Sequence, residues 1–167
     1  CIRDSYSSFK RKSAGTGHDW QLIAGNVDTA FIVCSMNEDF NPSRIERYLA
    51  LAEAAEVEPV VVLTKADLTE QPEQWIDNVR SINKQLQVVA LNALDSSCAD
   101  ALSDWLKPGS TVVMLGSSGV GKSTLANSLL GEARQLTQGI REDDAKGRHT
   151  TTGRSLFPLS NGGLILD

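Results

Sequence analysis

The sequence predicts a three-layer α/β fold around a mostly parallel sheet, and two observations carry that expectation. Short apolar runs alternate with segments of helical periodicity along the chain, which is the pattern of βα units whose crossovers cover both faces of a sheet. One strand-to-helix junction also fills the phosphate-loop pattern Gly-x4-Gly-Lys-Ser, at Gly116, Gly121, Lys122 and Ser123. Together they point to the P-loop NTPase fold.

The elements follow in chain order. Residues 1–20 are polar and without period, with a basic run Lys10-Arg11-Lys12, and are expected to be a linker. Residues 27–35 (VDTAFIVCS) are nearly all apolar, as a strand buried on both faces requires. Pro42-Ser43 opens a helix whose inward stripe is Ile45, Tyr48, Leu49 and Ala52, and Pro59 is expected to end it. Val60 to Leu63 make a second strand, running into Thr64-Lys65-Ala66-Asp67. Pro72 starts a helix carried by Trp75, Ile76, Val79 and Ile82. Residues 86–91 form a third strand. Ser96 or Ser97 caps the next helix, with Ala99, Leu102, Trp105 and Leu106 inward. Residues 111–115 are a fourth strand feeding the phosphate loop. Its helix starts at Lys122, turns Leu125, Ala126, Leu129 and Leu130 inward, and stops at Gly131. Residues 132–152 lack period and read as a long functional loop. Residues 155–159 and 164–167 are two strands around Asn161-Gly162-Gly163.

Composition bounds the chemistry. With 167 residues, 41% hydrophobic and 22% charged, the chain can bury one ordinary core. No apolar run approaches a membrane span, so no membrane partner is expected. Cys1, Cys34 and Cys98 fit neither a zinc spacing nor a disulfide framework, which favours a reducing, cytoplasmic setting. The net charge of −5 argues against nucleic-acid binding over the whole surface and leaves only a local patch. The expected state is a monomer.

The phosphate loop has a clear physical logic. Gly116, Gly119 and Gly121 let the backbone come close to an anion. The N–H groups from Gly116, Ser117, Ser118, Gly119, Val120, Gly121, Lys122, Ser123 and Thr124 then meet phosphates at a helix N-terminus. Lys122 is expected on the β- and γ-phosphates and Ser123 on Mg²⁺. Asp67 is the second signal. A carboxylate after a buried strand can accept from a ring N–H and its neighbouring exocyclic amine, which guanine offers and adenine does not. The stem of Lys65 would lie along the base.

The phosphate loop with Thr64-Lys65-Ala66-Asp67 resembles the translation-factor class of GTPases, with the two motifs in reversed order, as in the circularly permuted GTPases. Asn26-Val27-Asp28, the stretch Arg44-Ile45-Glu46-Arg47-Tyr48-Leu49, and Gly147-Arg148-His149-Thr150-Thr151-Thr152 resemble the RsgA/YjeQ family of ribosome small-subunit-dependent GTPases. The resemblance implies a circularly permuted GTPase domain over 21–167, incomplete after Asp167, with 1–20 a linker or the tail of an upstream OB-like domain. It implies that Asn92-Ala93 back the guanine, with Asn departing from the family's Ser, and that Thr64 stands where many GTPases have Asn. Thr150 or Thr151, with Thr151 preferred, would complete Mg²⁺ coordination, and Asp167 would hold the ion through water. His149 is a candidate to orient the attacking water. The implied ligands are GTP and GDP with Mg²⁺, and zinc belongs only to a downstream domain. The implied partners are the small ribosomal subunit and its rRNA, met through Arg141, Lys146, Arg148 and Arg154. Two rival readings are a small P-loop kinase, which leaves Thr64 to Asp67 unexplained, and a nucleotide-binding scaffold with vestigial hydrolysis.

Overall fold

The structure, a computed structural model, describes residues 6–12, 20–131 and 156–166. Two strands stand apart as an antiparallel pair, β1 (Ser8–Lys12) and β2 (Trp20–Gly25). The remaining elements are β3 (Thr29–Ser35), α1 (Pro42–Ala54), β4 (Glu58–Thr64), α2 (Pro72–Ile82), β5 (Gln87–Ala90), α3 (Cys98–Ala101), β6 (Thr111–Leu115), α4 (Lys122–Leu130), β7 (Leu156–Pro158) and β8 (Leu164–Leu166). Six strands make one sheet in the order β5-β4-β3-β6-β8-β7. All neighbours are parallel except the β7–β8 hairpin.

Alternation along β3 explains the layers. Phe31 and Val33 face a core shared with Cys98, Leu102, Leu106, Leu125 and Leu129, on the α3–α4 side. Ile32 and Cys34 face the opposite core with Ile45, Val61, Leu63 and Val79, on the α1–α2 side. A strand buried at every position, as β3 is, must be apolar on both faces. Because β3, β4, β5 and β6 run parallel, the segments that follow them gather along one edge of the sheet. Ligands bind at that edge in such folds.

Four expectations need adjustment. Pro59 does not end α1; it is the second residue of β4, opposite Ala30, and pairing with β5 begins only at Val60. Its missing N–H therefore costs no bond to β5. The helix ends instead at Ala54 and is closed, just beyond its Ala55 cap, by Glu56, whose φ of 57° is left-handed. The Val57 N–H reaches back to the Ala52 carbonyl and the Glu56 N–H to that of Glu53, a Schellman closure without glycine. The α3 helix spans only Cys98–Ala101; Leu102 and Leu106 are buried as expected, but Ala99 is exposed and Cys98 is inward in its place. Ser97 sits at the cap position without a side-chain cap bond. Finally, residues 8–12 are a strand rather than featureless linker. Ser7 and Phe9 are buried, and the Ser7 hydroxyl both accepts from the Val27 N–H (2.7 Å) and donates to the Val27 carbonyl (2.8 Å).

The Asn26-Val27-Asp28 stretch fastens this entry at the amino end of the sheet. Asp28 accepts from the Tyr6 hydroxyl at 2.8 Å and from the Thr111 N–H at 2.7 Å. At the other end of α1, Asn41 caps the helix by accepting from the Ser43 N–H at 3.0 Å, the bond the first turn otherwise lacks.

Candidate nucleotide site

The buried strand β6 delivers the phosphate loop, and α4 opens at Lys122 directly after it. Gly116 is required by contact: a Cβ there would sit 2.5 Å from the Val33 carbonyl oxygen. Gly121 is required by conformation, with a φ of 98° against the Thr64 side chain. Val120 turns inward into the core, while Ser118 and Gly119 are exposed at the tip. Lys122 folds back over the loop, and its Nζ donates to the carbonyls of Gly116 (3.0 Å) and Ser117 (2.7 Å). Ser123 is exposed in the first turn of α4.

Thr64 joins this loop to the base side. It is fully buried at the end of β4. Its hydroxyl donates to the Val120 carbonyl at 2.6 Å, with the Cys34 carbonyl at 3.2 Å as a second acceptor. The side chain therefore reaches over the end of β3 to grip the phosphate loop. The hydroxyl alone braces the phosphate loop against the end of β4.

Beside it lies a cavity of about 280 Å³. Thr64, Lys65, Asp67 and Leu68 line one side, Asn92, Ala93 and Leu94 another, and Gly121 and Thr124 the floor towards α4. Lys65 adopts a left-handed φ of 62°, and the chain then closes a 3-10 turn over Ala66–Leu68. Asp67 is exposed in that turn rather than buried. Asn92 shapes its own loop, its Oδ1 accepting from the Leu94 N–H at 3.0 Å. Ser128 of α4 donates to the Ala93 carbonyl at 2.6 Å, so the phosphate-loop helix also holds the far wall of the cavity. Ser128 carried no signal in the sequence: it is one polar residue beside an apolar stripe. The same holds for Arg44 as a site residue; from α1, its Nη1 donates to the Ser117 hydroxyl at 3.2 Å. Cys34 lies under this edge, its thiol pushed up to about 11 by burial against the opposing charge of Arg44, which leaves it protonated and unreactive.

Every expected residue from Thr64 to Thr124 thus lies in one continuous stretch of surface: phosphate loop, shared Thr64, adjoining cavity. His149, Thr150, Thr151 and Asp167 lie outside the described residues, as do Arg141, Lys146, Arg148 and Arg154. Among the described residues no group of His, Cys, Asp and Glu could hold a metal. No helix there is long and apolar enough to cross a membrane.

Residues 2–167 match the RsgA GTPase family. The chain belongs to that family. It is 60% identical over 166 residues to the small ribosomal subunit biogenesis GTPase RsgA 2 of Vibrio vulnificus (strain CMCP6), covering 99% of this chain and 48% of that relative. It is 50% identical over 162 residues to the small ribosomal subunit biogenesis GTPase RsgA of Xanthomonas oryzae pv. oryzae (strain PXO99A), covering 96% and 45%. The chain therefore spans about half the length of the RsgA relatives it matches. In fold it is similar to YjeQ from Thermotoga maritima, with a TM-score of 0.69 at 24% identity over 99% of this chain and 52% of that one. It is also similar to YloQ, described as a circularly permuted GTPase, with a TM-score of 0.59 at 24% identity over 99% and 57%. The permuted α/β fold of the RsgA GTPases is the fold of this chain: the base-side strand β4 precedes the phosphate-loop strand β6, and both end at the same edge of the sheet.

Proposed function

We propose that this chain binds guanine nucleotides, hydrolyses GTP with Mg²⁺, and acts in assembly of the small ribosomal subunit. One observation carries the reading: Thr64 closes the phosphate loop with its hydroxyl while its neighbours Lys65 and Asp67 line the adjoining cavity. A phosphate site and a base site meet at a single buried residue.

The chemistry follows from the residues. Asp67, exposed at the cavity, is free to accept from the N–H and amine of guanine, and the Lys65 stem covers the ring. Lys122 and the N–H groups of the loop meet the negative charge that spreads over the transferred phosphoryl group. The Ser123 hydroxyl has no intramolecular partner among the described residues and stands at the start of α4, an oxygen donor suited to a hard cation. Mg²⁺ held there would neutralise charge on the β- and γ-phosphates. Thr151 and Asp167 as further Mg²⁺ contacts, and His149 as the residue that orients water, rest on the family resemblance. The role on the small subunit and its rRNA, and a cytoplasmic setting, rest on the names of the RsgA relatives. Assigning zinc to a part of such proteins outside this sequence rests on the family resemblance alone. The same holds for treating residues 1–20 as leading out of an upstream domain.

Nucleotide affinities test the core of this reading. GDP should bind far more tightly than ADP. Asp67→Asn should lower GDP affinity by roughly 100-fold or more and improve binding of xanthosine diphosphate, whose edge offers a carbonyl where guanine offers an amine. Equal ADP and GDP affinity in the unaltered protein would sink the guanine assignment and favour the kinase reading. Turnover that does not rise with small subunits would favour the scaffold. His149→Ala should lose single-turnover hydrolysis with GDP affinity intact.

A further inference from the structure

Arg44 does not line the cavity beside Thr64, yet it touches the phosphate loop from a different layer. Arg44 lies in the first turn and a half of α1, which Asn41 caps and Ile45 anchors in the core. Its hydrogen bond to the Ser117 hydroxyl, at 3.2 Å, is the one its guanidinium makes among the described residues. Ser117 is also the residue whose carbonyl holds the Lys122 ammonium, at 2.7 Å. The cleft between Arg44, Tyr48, Asn41 and Ser117 has a cavity of only about 10 Å³, the room of a single water. The guanidinium is therefore wedged against the loop rather than bridged to it by solvent. Asp39 and Cys34 face the same cleft.

We propose that Arg44 is a positioning residue for hydrolysis: it fixes Ser117, and Ser117 fixes Lys122 over the phosphates. A side chain tied at its hydroxyl cannot rotate freely, so the peptide that carries the Ser117 carbonyl keeps its orientation. That carbonyl sets where the Lys122 Nζ lies when the γ-phosphate arrives. Arg suits the task because its planar fork loses little freedom in making a directed bond. The residue it steers acts on charge that develops in the transition state, where small misplacements are costly.

This inference rests on the GTP-hydrolysis reading, and the experiment separates the two. Single-turnover GTP hydrolysis and GDP affinity are measured in the intact protein and in Arg44→Ala, Arg44→Lys, Ser117→Ala and the Arg44→Ala/Ser117→Ala double variant. Arg44→Ala and Ser117→Ala should each slow hydrolysis by roughly five- to thirtyfold, and Arg44→Ala should change GDP affinity by less than about threefold. The double variant should be no slower than the slower single variant, because both break one link. Arg44→Lys should recover part of the rate. Losses that multiply in the double variant, or a Ser117→Ala rate equal to the unaltered one, would overturn the link. Ser117→Ala deletes only the acceptor hydroxyl and decides the matter even if Arg44→Ala folds poorly. An unaltered protein that neither binds nor hydrolyses GTP would instead overturn the underlying reading.

Discussion

Among the described residues, the Thr64 hydroxyl is the one fully buried tie between the end of β4 and the phosphate loop, and its acceptor at Val120 lies 56 positions along the chain. Thr64→Val keeps the shape and removes the donor, leaving a buried carbonyl short of a partner. It should cost about 1–3 kcal/mol of stability and speed nucleotide release, whereas Thr64→Ser keeps the donor and should lose only about 0.5–1.5 kcal/mol, for its buried methyl, in urea unfolding. An unchanged midpoint for Thr64→Val would show that the bond contributes nothing net. The site was legible in the sequence where its meaning is local. The phosphate loop is one unbroken string, and Thr64 to Asp67 is another. The residues that support them, Arg44 and Ser128, act across 73 and 35 positions. No window of sequence contains both partners of such a bond, so periodicity and spacing could not reveal them.

At the scale of elements, the strands and long helices were legible because burial imposes their period. The stripe of α1 and the unbroken apolar run of β3 are direct readings of the two cores. The ends were harder. Pro59 reads as a helix terminator, but its place in β4 depends on where the neighbouring strand begins, which is a tertiary fact. β1 escaped notice because a short polar strand is defined by its partner, and its register with β2 even contains a shift between Phe9 and Lys10. The α1 terminus offers a prediction at this scale. Glu56 occupies a left-handed position that costs a residue with a Cβ roughly 1 kcal/mol or more. Glu56→Gly relieves it but adds freedom to the unfolded chain, so the net gain should be about 0.5–1 kcal/mol. Thermal unfolding should shift upward by ~1–4 °C; a lower midpoint would mean that Glu56 makes a compensating contact.

For the whole molecule, fold class followed from alternation of elements, and the parallel sheet with helices on both faces agrees with it. Strand order did not follow from alternation. Nor did it follow from the reversed order of the two motifs, which asks only that both reach the same edge of one sheet; which strands are neighbours is a tertiary fact. That arrangement puts β3 at the centre, between β4, which follows it closely, and β6, which comes much later. The consequence falls on the protein's own synthesis. The unit β3-α1-β4-α2-β5 leaves the ribosome before β6 and can fold as it emerges, but the β6 side of β3 stays open until the phosphate-loop strand appears. At ~5–20 residues per second, that edge waits for seconds with Phe31 and Val33 uncovered by α4. Nascent chains stalled just after β5 should therefore resist protease across α1 and α2 yet bind a hydrophobic dye more strongly than chains stalled after α4. Equal dye binding at both lengths would show that the early unit shields the edge by itself. A chain of this order is born with its β4–β5 half waiting for the phosphate-loop strand.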